Sequence, residues 1–126
     1  MVRSAYQPLW KGGIIEYRIP GPLTIVTERD GDTYVVRATG ELDLANCSQF
    51  DRELRAAEAS DAAVILLDLE GLAFIDSAGL TMIRRAVSRN ETNGGLQITG
   101  LRGHVADIFR LTAFDQTLPI VDASKR

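Results

Sequence analysis

The sequence predicts a single α/β domain: a mixed β-sheet with an opening hairpin and three to four flanking helices. Three observations lead there. Two runs rich in β-branched residues are joined by Asp30-Gly31-Asp32, a hairpin signal because Gly tolerates positive φ. Residues 63–69 (AVILLDL) are apolar almost throughout, as in a strand covered on both faces. After the hairpin, segments of helical period alternate with short strand-like runs, the pattern of a sheet flanked by helices. A chain of 126 residues, 45% hydrophobic and 25% charged, fits one domain with one core rather than a disordered segment.

Taken in order, residues 1–21 read as an irregular extension, loosely docked, because Pro8, Gly12-Gly13 and Pro20-Gly21-Pro22 punctuate them. A short edge strand is expected at residues 14–19. Residues 23–28 and 33–39 form the hairpin strands, the second ending in Gly40-Glu41-Leu42-Asp43. A helix then starts at Asn46, a favoured N-cap, with Gln49 three residues on as in a capping box. Cys47, Phe50, Leu54 and Ala57 share one face of it, and Cys47 reads as a buried small hydrophobe. The central strand at residues 63–69 follows, then two short segments, then a helix over residues 77–89. Leu80, Ile83 and Val87 line that helix's inner face, and Asn93-Gly94-Gly95 ends it. Residues 96–99 give another strand. A third helix has Val105, Ile108, Phe109 and Thr112 on one face, and residues 119–121 are a candidate last strand.

Composition excludes several functions. Fourteen Lys and Arg among seventeen Asp and Glu, net charge −3, leave no basic stripe, so no nucleic-acid partner is expected. Cys47 and His104 are the single representatives of their types, so there is neither an internal disulfide nor a metal-ligand spacing. No cofactor motif is present: neither glycine pair continues into the Lys-Ser/Thr of a phosphate-binding loop. The longest apolar run, residues 62–67, is too short to insert in a membrane. The N-terminal residues lack the apolar centre of a signal peptide, and a cytoplasmic protein is expected.

One place stands out chemically. In Asp76-Ser77-Ala78-Gly79 a strand runs out into a helix start, where backbone N–H groups are unpaired and the dipole is positive. A phosphate on Ser77 would find donors in place and would add about −1.5 to −2 charges beside Asp76. Gly79 reads as keeping the first turn slim for the approach of another protein. The bland alternative is that Asp76 or Ser77 simply caps the helix. Thr81, one turn on, is the next candidate phosphoacceptor, ahead of Thr33 and Thr112. A hydrolase with Ser77 as nucleophile is disfavoured: there is no G-x-S-x-G, and His104 reads as a surface or cap residue. No catalytic residue is assigned and the protein is read as a non-enzyme.

The stretch DLEGLAFIDSAGL at residues 68–80, with GELD at residues 40–43, resembles the signature of the anti-sigma factor antagonists (anti-anti-sigma factors), a branch of the STAS domains. The STAS name joins sulfate transporters and anti-sigma factor antagonists. Gly100-Leu101-Arg102 and residues 108–112 resemble the same family's C-terminal strand and helix. The resemblance spans residues 22–122, leaving an extension at 1–21 and a tail at 123–126. It implies a bacterial phosphoprotein that regulates transcription through protein–protein interaction. Unphosphorylated, such a protein binds an anti-sigma factor, a Ser/Thr kinase with a histidine-kinase-like ATPase fold, and so frees a sigma factor. The kinase phosphorylates the Ser after the motif Asp, here Ser77, and a phosphatase resets it. The implied partner-binding residues are Asp43, Asp76, Ser77, Ala78, Gly79 and Thr81, with Asp43 on the partner-facing edge. Many relatives have a second Ser where this chain has Ala78. The alternative is a STAS module that docks on a signalling scaffold or a membrane transport system without phosphoryl control.

Overall fold

The computed structural model describes residues 7–11, 14–18, 22–91 and 95–121. Strands β3 (Leu23–Asp30), β4 (Thr33–Leu42), β5 (Val64–Asp68), β6 (Leu72–Ile75) and β7 (Leu96–Thr99) make a five-stranded mixed sheet. Helices α1 (Cys47–Glu58), α2 (Ser77–Arg89), α3 (Gly103–Leu111) and the short α4 (Phe114–Thr117) complete the described α/β domain. Two further strands, β1 (Gln7–Lys11) and β2 (Ile14–Arg18), pair antiparallel as a separate two-stranded sheet. The extension read as irregular therefore carries a ribbon: the strand expected at residues 14–19 is β2, and its partner β1 was not anticipated.

β4 organises the sheet. It pairs antiparallel with β3 from Asp30↔Thr33 to Leu23↔Gly40, and parallel with β5 from Thr33↔Val64 to Arg37↔Asp68. The hairpin loop is Gly31-Asp32, with Gly31 at φ +60°, as its sequence predicts. Beyond Arg37 the neighbour of β4 changes from β5 to β6, which pairs parallel over Gly40↔Leu72, Glu41↔Phe74 and Leu42↔Ile75. The register shifts between Gly40 and Glu41. Gly40 has φ +105°, and a Cβ there would lie 2.1 Å from the Pro22 carbonyl oxygen, so only glycine fits. β4 thus runs through Gly40-Glu41-Leu42, the stretch in which the sequence ends it. β6 is an additional strand, where the sequence suggested only a short segment.

One face of this sheet meets the helices. Val36, Ala38, Leu42, Ile65, Leu67 and Ile98 pack with Phe50 and Leu54 of α1, Ile83 and Ala86 of α2, and Val105 and Phe109 of α3. Each fully buried Phe or Leu of this set contributes about 1.5–3 kcal/mol. The helical faces read from residue spacing are correct for Phe50, Leu54, Ala57, Leu80, Ile83, Val105 and Phe109, all buried, whereas Cys47, Val87 and Ile108 are half-buried and Thr112 is exposed. Val35 and Leu66, opposite each other on β4 and β5, are also buried but stand outside that cluster.

Three local expectations change. Asn46 does precede α1, but its side chain makes no cap: Nδ2 donates to the Glu41 carbonyl at 2.8 Å and Oδ1 accepts from the Asp43 N–H at 3.0 Å. The amide is used backward, to close the turn it follows. α2 ends at Arg89 with Asn90 as C-cap; Asn93 and Gly94, the expected stop, lie outside the described residues. Asn90 is buried and donates from Nδ2 to the Ala86 carbonyl at 2.7 Å. The expected last strand is a single parallel bridge, Ile98↔Ile120. The tail at residues 123–126 lies outside the described residues.

Candidate functional site at the Ser77 helix start

The site lies where β6 hands over to α2, beside the loop from β4 to α1. Asp76 is in extended conformation and is the N-cap of α2. Its Oδ1 accepts the Gly79 N–H at 3.0 Å, satisfying one of the donors a helix start leaves open. Its N–H donates to the Leu42 carbonyl at 3.1 Å, tying the cap to the end of β4. Its second oxygen, Oδ2, accepts the Leu44 N–H at 3.1 Å. One carboxylate therefore joins the helix start to the neighbouring loop.

This leaves Ser77 uncommitted. It is the first helical residue, it is exposed, and its hydroxyl makes no hydrogen bond among the described residues. The capping reading is thus resolved in favour of Asp76. Ala78, Thr81 and Asp76 are half-buried around it.

Two expected partner-facing residues point inward instead. Asp43 is 0% exposed, with Oδ1 accepting the Ala45 N–H at 2.9 Å; it shapes the loop and presents no carboxylate at the surface. A carboxylate this close to free backbone donors is drawn back into its own turn. Gly79 is buried, and a Cβ there would lie 2.8 Å from Leu42 Cγ and 2.9 Å from Ile75 Cγ1. Its slimness serves the packing of α2 on β4 and β6.

The exposed parts form a groove of about 440 Å³ lined by Leu44, Cys47, Asp76, Ser77, Ala78, Thr81, Met82 and Arg85. Leu44, Met82 and Arg85 were not assigned to the site from the sequence, and Cys47 was read only as a buried small hydrophobe. Helical spacing could have found two of them, since Ser77, Thr81 and Arg85 recur every four residues, as do Ala78 and Met82. Leu44 has no such signature, because its place depends on a loop fold. His104, exposed near the start of α3, stacks flat on Phe74 with ring centroids 5.1 Å apart, and no hydrogen bond joins it to Ser77 among the described residues. No group of His, Cys, Asp and Glu among the described residues is arranged to hold a metal, and no described helix is long and apolar enough to cross a membrane.

The chain is 28% identical over 85 residues to a protein named as an anti-sigma factor antagonist, BtrV of Bordetella bronchiseptica, covering 67% of this chain and 73% of that one. The fold superposes on an anti-sigma factor antagonist from Mycobacterium paratuberculosis with a TM-score of 0.73 at 23% identity, covering 79% of this chain and 85% of the other. It also superposes on the phosphorylated form of the Bacillus cell fate determinant SpoIIAA, with a TM-score of 0.61 at 22% identity over 79% and 91% of the two chains. The family profile described as "Mlab, STAS domain" matches residues 25–122, nearly the whole of the described five-stranded sheet and its helices. The chain belongs to the STAS domain family.

Proposed function

We propose that this STAS domain is an anti-sigma factor antagonist controlled by phosphorylation of Ser77. Unphosphorylated, it binds an anti-sigma Ser/Thr kinase of histidine-kinase-like ATPase fold and so releases a sigma factor. The kinase transfers the γ-phosphoryl group of ATP to Ser77 Oγ, the hydroxyl proton is lost, ADP leaves, and the complex separates. A phosphatase hydrolyses the phosphate and resets the switch. Residues 22–122 are the binding unit and residues 1–21 an added arm.

The observation that carries this reading is the division of labour at the helix start: Asp76 holds the cap, and Ser77 is exposed with a free hydroxyl. A residue needed for capping could not be modified without loosening α2; Ser77 can be. A phosphate there would bring about −1.5 to −2 charges to a groove that already holds the Asp76 carboxylate. Only about 1.4 kcal/mol separates a tight complex from one ten times weaker, which a desolvated charge exceeds easily. The similarity to BtrV supports the same reading.

The test is phosphorylation at residue 77. Wild-type and Ser77→Ala proteins are incubated with ATP and candidate anti-sigma kinases of the source organism, and read by intact mass and peptide mapping. One phosphate on the wild type, mapped to Ser77 and absent from the variant, is expected. Tight binding without phosphate would favour an unswitched docking module.

A further inference from the structure

We infer that Leu44 is the apolar anchor by which this domain docks on its kinase, and that Asp76 is the positioning residue that holds it in place; this rests on the functional reading above. Three large hydrophobic residues are exposed among the described residues, Val26, Leu44 and Leu111. Leu44, at 72% exposure, is the one that borders the Ser77 groove. Single exposed leucines are common and mean little alone. What sets this one apart is how firmly its backbone is held.

The turn that carries it is cross-bonded from both sides. The Leu44 N–H donates to Asp76 Oδ2 at 3.1 Å, and its carbonyl accepts from Cys47 Sγ at 3.6 Å. On either side, the Ala45 N–H donates to Asp43 Oδ1 at 2.9 Å and the Asn46 N–H to the Asp43 carbonyl at 3.1 Å. Asp43 and Asn46 are themselves joined through the Asp43 N–H and Asn46 Oδ1 at 3.0 Å. A rigid turn with one apolar side chain aimed at solvent has already lost the entropy that docking would otherwise cost. Such pre-organised apolar residues, beside a groove, are where binding energy concentrates.

The groove describes the partner's chemistry. Leu44, Met82 and Ala78 ask for an apolar pocket, and exposed Arg85 in the same groove asks for a carboxylate. Ser77 lies in the same groove, so a kinase seated on Leu44 has the phosphoacceptor within its footprint. Asp76 makes the two one unit: the oxygen that caps α2 fixes Ser77, and the other fixes Leu44.

The experiment measures affinity for the candidate kinase using the full chain as wild type, Ser77→Ala, Leu44→Ala, Asp76→Ser and the Leu44→Ala/Asp76→Ser double variant. Asp76→Ser keeps a competent N-cap but has one oxygen, which cannot serve both N–H groups. Leu44→Ala is expected to weaken binding by about tenfold or more, as a central apolar anchor does. Asp76→Ser should weaken it several-fold in the wild-type background and by less than about twofold once Leu44 is gone, the non-additivity of one residue acting through another. Asp76→Asn, with one remaining acceptor, gives a second version of the same comparison. Unchanged affinity of Leu44→Ala, with wild type still binding, overturns the anchor alone. A full loss on Asp76→Ser in the Leu44→Ala background overturns the positioning role. Absence of binding by both wild type and Ser77→Ala overturns the functional reading itself, and the anchor with it.

Discussion

Asp76 accepts the backbone N–H of Leu44 across 32 residues of sequence, and this bond joins the start of α2 to the loop that leads into α1. Because its other oxygen caps α2 at Gly79, the carboxylate supports two elements at once. Asp76→Ala leaves both N–H groups without it. A cap loss alone costs about 1 kcal/mol, and the second bond raises the expected loss to about 1.5–2.5 kcal/mol. Urea unfolding of the variant checks this through a lower midpoint at unchanged slope.

Ser77→Ala should behave oppositely. Ser77 makes no cap, is exposed, and Ala is the better helix former. The expected change is within about 0.5 kcal/mol in either direction. A thermal melt that dropped much further would mean the hydroxyl holds the helix start.

Gly79→Ala is expected to destabilise, although Ala is favoured over Gly inside helices by about 1 kcal/mol. The new Cβ would sit 2.8 Å from Leu42 Cγ and 2.9 Å from Ile75 Cγ1, and both side chains are buried. Overpacking of this kind costs about 1–3 kcal/mol, so the net effect is a loss. A raised melting temperature would contradict the packing described for this turn.

Arg89 ties α2 to α1. Its Nε and Nη2 bond Glu58 at 2.9 and 2.8 Å, and Nη2 reaches Asp51 at 3.3 Å. The hydrogen bond to Glu58, outweighing the cost of burial, holds the guanidinium above its ordinary pKa, so it stays charged throughout the working range. Arg89→Met keeps the stem and removes the fork. The expected loss is about 1–2 kcal/mol, for a partly buried pair with two carboxylates. A double-mutant cycle with Glu58→Gln measures how much of it is the pair itself.

At the surface, the Arg29 guanidinium, hydrogen-bonded to the Asp61 carboxylate at 2.7 Å, holds that carboxyl below its ordinary pKa. A depressed folded-state pKa means the pair helps above the usual carboxylate range and its help is lost as pH falls through the depressed value. NMR titration of the Asp61 carboxyl in wild type and Arg29→Ala should show a lower midpoint in the wild type. Equal midpoints would show that the pair is not populated in solution.

The sheet and its helices were readable because their signals are periodic and local. Leu80, Ile83 and Phe50 declare their faces by spacing, and Gly31 declares its turn by chemistry. β6 was hidden because four residues of mixed character carry no period, and the strand exists only by pairing with Gly40–Leu42 far away in the chain. At the site, Ser77 and its capping neighbour were legible from the helix start. The inward turn of Asp43 was not, since it depends on which backbone donors a loop brings near a carboxylate. Asn46 shows the same limit: its residue type suits a cap, and the fold spends it on closing the preceding turn.

β4 touches β3, β5 and β6, and this ties the ripening of the site to the order in which the chain assembles. The hairpin with β3 needs only neighbours in sequence and can form early; the pairing of Gly40–Leu42 with β6 must wait until residues 72–75 arrive and a long loop closes. Until then neither the Asp76–Leu42 bond nor the Asp76–Leu44 bond has both its ends in reach. A ribosome-bound or half-folded chain therefore displays the Ser77 sequence without its shape until β6 has paired with β4.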